Sequence, residues 1–400
     1  MESVRLDALD RRLIHALQLD GRLPFSRIAA ALGVPERTVA RRYHRLRSRL
    51  ALRVVGLVDG GRTGMLDWVV RVRCAPEAVE ALTVRLARRD DTSWIAPLVG
   101  GTEITCMIRT PQPSTDNRRS FFEQLARTAG VREVDAACVL RPVAGVGGWA
   151  GRMSALSEAE QELLRPSGPP RVPVVPVVPV EEAPKVGVEV GPWGAVGAYA
   201  EASSGAANAA ADAGPEPAGA AAESVLGAAD ARLLRALSQD ARADLGQLAA
   251  ATGWSESTVR RRIRVLRESR VLAFEVEVDP ALFGYPIEAL MWFDVPPSAL
   301  RTVADALAGH SQVAFAALTT GPSSVFAMVE CRSVHGLHDY VSTELAALHG
   351  ITRIETAVTQ RRTKRAGPLL APVSENRVGT GMGSVPGVGP GAGPGRTAAE

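Results

Sequence analysis

The chain contains one protomer-sized sequence twice. Residues 6–141 align with residues 226–361 at a spacing of 220 positions, without a gap at the landmark residues. Between 6–50 and 226–270, 20 of the 45 aligned positions are identical. Solenoid repeats have units of roughly 20–50 residues, so this period is that of a whole folding unit. The chain is therefore expected to fold as two homologous copies and to act as a built-in pair. The later landmarks are Gly64 and Gly284, Pro76 and Pro296, Gly101 and Gly321, and Gly130 and Gly350.

Composition narrows the class of protein. The 400 residues, 46% of them hydrophobic, suffice for two or more cores. The four cysteines form no C-x-x-C pair and divide three to one between the copies, which disfavours a shared metal site or a disulfide framework. Because the sequence has neither an apolar leader nor a run of about 18 apolar residues, we expect a cytoplasmic protein with no membrane partner. No metal site, catalytic residue or cofactor is predicted.

The first 50 residues of each copy have helical periodicity. Residues 1–50 contain eleven arginines against five acids, and residues 224–270 contain nine against five. In the first copy, Val39, Tyr43 and Leu46 recur at i, i+4 and i+7, as on the inward face of a helix. A glycine, Gly33 or Gly253, precedes this last helix. Three short helices with a glycine turn predict a helix-turn-helix domain in each copy.

The outward face of the last helix carries the predicted DNA contacts. Rotation by about 100° per residue points Arg37, Arg41 and His44 outward. An arginine fork fits guanine O6 and N7 in the major groove, and other arginines bind phosphates. The candidate DNA-binding residues are Glu36, Arg37, Thr38, Arg41, Arg42, His44 and Arg45 in the first copy, and Ser255, Ser257, Thr258, Arg260, Arg261 and Arg264 in the second. Further candidate phosphate contacts are Arg47, Arg49, Arg262 and Arg267.

Two features qualify this assignment. Arg42 and Arg262 lie nearer the core side of the helix, where pairing with Asp10 or Asp230 is the alternative. Ser255 is predicted to cap the second recognition helix, whereas Pro35, at the same position in the first copy, has no hydroxyl to do so.

A mixed segment follows each helix-turn-helix. After short β-rich stretches at 52–58 and 271–278, both copies show the order βαββαβ of a ferredoxin-like unit. In the first copy the elements are predicted at 66–73, 77–89, 93–99, 103–109, 116–129 and 132–140, and in the second at 287–295, 297–309, 311–319, 323–331, 334–348 and 351–360. The fold class is therefore α+β, with both domains present twice.

The predicted domain boundaries follow from these patterns. A segment rich in Pro, Gly, Ala and Val separates the copies and predicts a linker, within which 153–164 is a candidate short helix. The domains are 1–50 (helix-turn-helix), 51–141 (αβ domain), 142–223 (linker), 224–270 (helix-turn-helix), 271–365 (αβ domain) and 366–400 (disordered tail).

The motifs resemble those of the Lrp/AsnC (leucine-responsive, feast/famine) transcriptional regulators. The similarity runs from Leu6 to Arg42 and from Leu226 to Arg262, where both copies contain the pattern GxxExTVxRR. The resemblance implies a winged-helix-type DNA-binding domain followed by an αβ domain that self-associates and binds a small-molecule effector.

The resemblance also places the effector loops. By position they contain Gly100, Gly101 and Thr102 in the first copy and Thr320, Gly321 and Ser323 in the second. The family has an aspartate three residues after the position of Gly101 and Gly321, where this chain has Ile104 and Ser324. We therefore expect an effector other than an amino acid, or none.

Two alternatives remain open on the same fold. One is an enzyme resembling the siroheme decarboxylases, for which His310, His335, His338 and His349 in the second copy are the candidate groups. The other is a partner that assembles with other regulators without binding DNA. The paired arginines behind both helix-turn-helix patterns favour a DNA-binding regulator that is not an enzyme.

Overall fold

The structure is a computed structural model that describes residues 5–49, 51–111, 121–145, 149, 154–165, 226–360 and 362–367. The predicted tail beyond 367 and the linker residues 166–223 lie outside the described residues. No helix in the described parts of the chain is long and apolar enough to cross a membrane.

Both predicted helix-turn-helix domains are present. Their helices are α1 (Ala8–Leu19), α2 (Phe25–Leu32) and α3 (Glu36–Ser48) in the first copy, with α7 (Ala228–Gln239), α8 (Leu245–Thr252) and α9 (Glu256–Glu268) in the second. Gly33 and Gly253 end the middle helices in the left-handed region, at φ 66° and 77°, which a glycine adopts without strain. The hydroxyl of Ser255 accepts from the amide of Thr258, so the predicted cap is confirmed, and Pro35 makes no side-chain cap.

The two helix-turn-helix domains pair within the chain. Strands β1 (Leu52–Val58) and β6 (Leu272–Val278) form an antiparallel ladder. Val55 lies opposite Glu275 at the centre of the ladder, and these positions are 220 residues apart. The ladder therefore lies on a pseudo-twofold axis that relates the copies, and one hydrophobic core contains residues of both domains.

The βαββαβ order is confirmed in each copy. The first contains β2 (Met65–Cys74), α4 (Val79–Ala87), β3 (Thr92–Pro97), β4 (Glu103–Pro111), α5 (Phe121–Ala126) and β5 (Val131–Ala144). The second contains β7 (Ile287–Asp294), α10 (Leu300–Gly309), β8 (Val313–Thr319), β9 (Val325–Cys331), α11 (Val334–Asp339), a π-helical continuation (Tyr340–Leu345) and β10 (Arg353–Val358). The strand order is β5-β2-β4-β3 in one copy and β10-β7-β9-β8 in the other.

Each αβ domain extends a strand onto the other. Strand β5 continues through Ala144 and pairs with β8, which joins the two sets of four strands into one sheet. In return, residues after β10 pair with the first copy, where Thr359 lies opposite Leu98 and Lys364 opposite Ile95. The domain boundary predicted at residue 141 is thus wrong by at least three residues, because the last strand of the first copy does not end at its own sheet.

The gap-free alignment fails inside the αβ domains. Val69 pairs with Met107, and Leu290 pairs with Met328. All four belong to one cluster shared by the copies, so these strands are offset by 221 positions (290 − 69 and 328 − 107). Strands β5 and β10 return to the offset of 220, because Ala137 pairs with Val69 and Ala357 with Leu290. Gly64 and Gly284 both end a 3₁₀ turn at the offset of 220. The second copy therefore has one additional residue between Gly284 and β7.

The predicted linker begins with ordered structure. The side chain of Trp149 is buried, and its indole nitrogen donates to the carbonyl of Ser311 at 2.8 Å. Helix α6 (Glu158–Leu164) packs on α1 and α2, with Leu164 in their core. The candidate short helix predicted at 153–164 is thus confirmed over Glu158–Leu164. The linker assignment is wrong for these residues, because apolar and aromatic side chains within the Pro- and Gly-rich segment bind both copies.

Candidate nucleic-acid interface

Helix α3 presents the predicted face to solvent. Val39, Tyr43 and Leu46 are buried, so the side chains between them project outward. Arg37, Arg41 and His44 are exposed, as are Glu36 and Arg45, while Thr38 is half-buried. The helix thus offers Arg37 and Arg41 in its N-terminal half, where recognition helices contact base edges, and His44 about one turn further on.

Helix α9 presents a different set of side chains. Arg260, Arg261 and Arg264 are exposed around a core side formed by Val259, Ile263 and Leu266. At the N-terminus, the hydroxyl of Ser255 lies 2.9 Å from those of both Ser257 and Thr258. The hydroxyls at the start of this helix are therefore engaged with one another in the cap.

The arginines on the core side are bound to acids, as in the alternative considered for them. Arg42 donates to Asp7 at 2.5 Å and to Asp10 at 2.9 Å. Arg45 also donates to Asp10, at 2.6 Å. Arg262 makes a bidentate contact with Asp230, and this hydrogen bonding raises the pKa of Arg262. These arginines hold the recognition helix on the first helix of its own domain.

Two further arginines connect the copies. Arg47 contacts Asp240 at 2.6 Å, and Arg267 contacts Asp20 at 2.8 Å. Both pairs are related by the offset of 220, so the contacts are reciprocal across the pseudo-twofold axis. They connect each recognition helix directly to the other DNA-binding domain, although sequence reasoning placed these arginines on phosphate.

The predicted effector loops lie where the copies meet. The amide of Thr320 donates to the carbonyl of Cys138 at 2.9 Å, and its hydroxyl accepts from the amide of Cys138 at 2.8 Å. The amide of Val99 donates to the carbonyl of Val358 at 3.0 Å. Gly100, Thr102 and Gly321 are exposed, Gly101 is half-buried, and Ser323 is buried with its hydroxyl bonded to Asp294.

The nearest loop acid has a structural partner. Glu103 accepts from Arg71, which also donates to Glu355 of the other copy at 2.6 Å. The Arg71 guanidinium lies 4.0 Å from the ring centroid of Trp292. Sequence reasoning missed this group because its members come from both copies and share no motif.

A separate cleft lies between α4 and α5, away from the predicted loops. Its volume is about 240 Å³, and its lining includes Leu86, Arg85 and Phe121. Arg89, at its rim, lies 4.5 Å from the Phe121 ring and pairs with Asp91. The candidate effector residues are not part of this cleft.

The candidate histidines of the second copy do not form one site. His335 and His338 are exposed on α11 and pair with the exposed Asp339. His310 instead contacts the hydroxyl of Tyr340 at 2.9 Å. His310 thus has an internal structural partner, while His335, His338 and His349 are exposed.

Family models match three segments of the chain. An AsnC-type helix-turn-helix domain matches residues 6–47 and 228–267. An Lrp/AsnC ligand-binding domain matches residues 288–369. The matches cover both recognition helices and the second αβ domain.

Individual relatives are similar over about one copy. An uncharacterised HTH-type transcriptional regulator of Pyrococcus furiosus is 32% identical over 130 residues, which are 32% of this chain and 88% of that protein. The HTH-type transcriptional regulator LrpA of Pyrococcus horikoshii is 27% identical over 136 residues, 34% of this chain and 96% of that protein. Among solved structures, the siroheme decarboxylase NirDL aligns with a TM-score of 0.51 and 14% identity, over 90% of this chain and 93% of that one. At this identity the likeness concerns the fold alone.

Proposed function

The chain belongs to the Lrp/AsnC family of DNA-binding transcriptional regulators, and we propose that a single molecule supplies both recognition helices to one operator. The observation that carries this proposal is the β1–β6 ladder, whose pseudo-twofold axis relates α3 to α9. Operators read by paired helix-turn-helix domains mirror the symmetry of the protein, with half-sites about 34 Å apart or a multiple of that distance.

We propose that Arg41 and Arg261 read base edges. They occupy equivalent positions on α3 and α9, and both are exposed. The exposed Arg260 and Arg264 are proposed to bind phosphates, which adds affinity and salt dependence but little sequence preference. Arg42, Arg45 and Arg262, which are bound to acids, are proposed to position the helices instead.

The proposed role of the αβ domains is to bind a small-molecule effector at the junction of the copies. The candidate contacts are Gly100, Gly101, Thr102, Thr320, Gly321 and Ser323. Because Thr320 connects its loop to β5 of the other copy, a ligand that displaced this contact would change how the copies meet. Glu103 is held by Arg71, so the loop offers no free carboxylate to an amino group. The proposed place of action is the cytoplasm.

Fluorescence anisotropy on DNA tests the assignment. The purified chain is titrated onto the duplex from upstream of its own gene and onto a scrambled duplex, at about 50 and 200 mM salt. We expect preference for the native duplex, a steep decrease in affinity with salt, and loss of the preference in the double variant Arg41→Ala/Arg261→Ala. Arg301→Ala, an exposed arginine on α10, is the matched control. Weak binding that ignores sequence and is equal in the double variant would overturn the assignment.

A further inference from the structure

The β1–β6 ladder fixes the two recognition helices relative to each other, but the helices present different side chains. From this difference we infer that the operator is asymmetric, that the chain binds it in one orientation, and that Arg37 reads a guanine in only one half-site. The inference rests on the proposed operator function and adds to it the identity of the residues that distinguish the two half-sites.

The first difference lies in the first turn of the recognition helices. Arg37 is exposed and has no hydrogen-bond or ion-pair partner among the residues that the structure describes. At the equivalent position, the hydroxyl of Ser257 lies 2.9 Å from that of Ser255, inside the helix cap. An arginine can donate two parallel hydrogen bonds to guanine O6 and N7, whereas serine contacts any base without strong preference. The two half-sites should therefore differ at the base pair that faces this position.

The second difference lies two turns further along. The His44 ring makes edge contacts with the rings of Phe25 and Tyr43, at centroid distances of 6.4 and 5.6 Å. These contacts hold a short side chain close to its own domain. At the equivalent position, Arg264 is exposed and longer. Arg264 can therefore contact the DNA backbone at this end of its half-site, whereas the shorter His44 of α3 cannot reach it.

The position between them is the same in both helices. Arg41 and Arg261 are both exposed and share the helix register. The half-sites should accordingly have a common centre and differ at the base pair that faces Arg37 or Ser257. Ordinary twofold dimers present two identical helices, so their operators do not distinguish the two orientations. Here the helices differ and the β1–β6 ladder fixes which one lies on each side.

Selection from random duplexes tests this inference. We expect the wild-type chain to enrich a site with a shared centre and a guanine in only one half-site at the outer position. Arg37→Ser gives the first helix the residue of the second and should make the two half-sites alike at that position. Ser257→Arg should add a guanine preference to the other half-site. Both residues are exposed, and unchanged circular dichroism and melting temperature would show that the variants fold.

Affinities on the selected site supply the second readout. Replacing the single guanine should weaken wild-type binding about 5- to 150-fold, the range of one bidentate base contact. The same replacement should change binding by Arg37→Ser less than about 2-fold. Identical half-sites for the wild-type chain, or an asymmetric site that Arg37→Ser leaves unchanged, would overturn the inference. Failure of the operator function itself would differ, because no sequence would then be enriched.

Discussion

Arg22 and Arg242 make the same contact in opposite directions across the pseudo-twofold axis. Arg22 donates to the carbonyl of Ala241 at 2.5 Å, and Arg242 donates to the carbonyls of Gly21 and Leu23 at 2.8 and 2.9 Å. Burial lowers the pKa of both guanidinium groups. Each guanidinium group thus exchanges hydrogen bonds with water for hydrogen bonds with backbone carbonyls of the other copy. This exchange makes the pairing of the DNA-binding domains specific.

Removing Arg242 should destabilise the paired domains more than removing Arg22. Arg242 also lies 4.3 Å from the ring centroid of Phe25 and 5.2 Å from that of Tyr43. We expect Arg242→Ala to lower the free energy of unfolding by about 2–4 kcal/mol, from charged hydrogen bonds and cation–π contacts together. Urea denaturation measures the effect. Arg22→Ala should have the smaller effect, and the exposed Arg261→Ala should remain within about 0.5 kcal/mol of wild type. An equal loss in Arg22→Ala and Arg242→Ala would contradict the prediction.

A buried pair of glutamates makes the stability of the second αβ domain sensitive to a rise in pH above the ordinary glutamate range. Glu288 lies opposite Glu330 on neighbouring strands, and Arg362 from the crossing segment contacts Glu288. Burial, followed by the charge of Glu288, raises the pKa of Glu330 well above its ordinary value, while Arg362 and Arg365 oppose this shift. The folded state holds this proton more tightly than the unfolded state does, so stability is lost as the pH rises through the folded pKa.

Glu330→Gln should abolish that part of the loss of stability, since an amide cannot ionise. The measurement is the free energy of unfolding at several pH values from about 4 to 9, because the loss begins just above the ordinary glutamate pKa. The exposed Glu268→Gln should retain the wild-type slope. A slope unaffected by Glu330→Gln would show that this carboxyl does not titrate on unfolding. Arg362→Ala should be the more damaging change, by about 3–5 kcal/mol, because it leaves a buried carboxylate unpaired.

Acidification should loosen the segment that leads into α6. The amide of Leu156 donates to Nδ1 of the buried His15 at 3.0 Å, so this nitrogen must be unprotonated. Burial lowers the pKa of His15, and the contact therefore contributes stability that is present above the ordinary histidine pKa and is lost as the pH falls below about 6.5. Hydrogen-exchange protection of the Leu156 amide should decrease over that range.

The variant His15→Asn separates titration from packing. Its side-chain oxygen can accept from the Leu156 amide but does not ionise, so the protection factor should no longer depend on pH. The second copy supplies an internal reference, because the position equivalent to His15 is the exposed Arg235. Protection in α7 should not change over the same range. Equal pH dependence at Leu156 in wild type and His15→Asn would refute the role of His15.

Local patterns were sufficient to predict the domains of each copy. The helical spacing of Val39, Tyr43 and Leu46 predicted the buried side of α3, and the β-rich stretches at 52–58 and 271–278 predicted β1 and β6. Contacts between the copies were not predictable in this way. Arg71, Glu355 and Trp292 share no pattern, and β5 crosses to the other copy through Pro142, a residue that favours the end of a strand.

One residue added before β7 and one fewer before β10 in the second copy explain the error in the alignment. Side chains of a strand alternate between faces, so an alignment shifted by one position matches residues on opposite faces of the sheet. At the offset of 220, Val69 would match Ala289, but its structural equivalent in the shared core is Leu290. The sequence does not reveal this insertion, because Ala289 and Leu290 are both apolar and either could match Val69.

A disulfide across the β1–β6 ladder tests most directly whether one chain pairs its own DNA-binding domains. Arg53 and Glu277 lie opposite each other in that ladder, so Arg53→Cys/Glu277→Cys places two thiols across it. Each single-cysteine variant controls for the four native cysteines. In dilute protein under mild oxidation, we predict a cross-link within single chains, with a denaturing-gel band that remains at the mass of one chain and affinity for the two-half-site duplex retained. Cross-linked dimers, or a chain that loses this affinity when linked internally, would contradict the account.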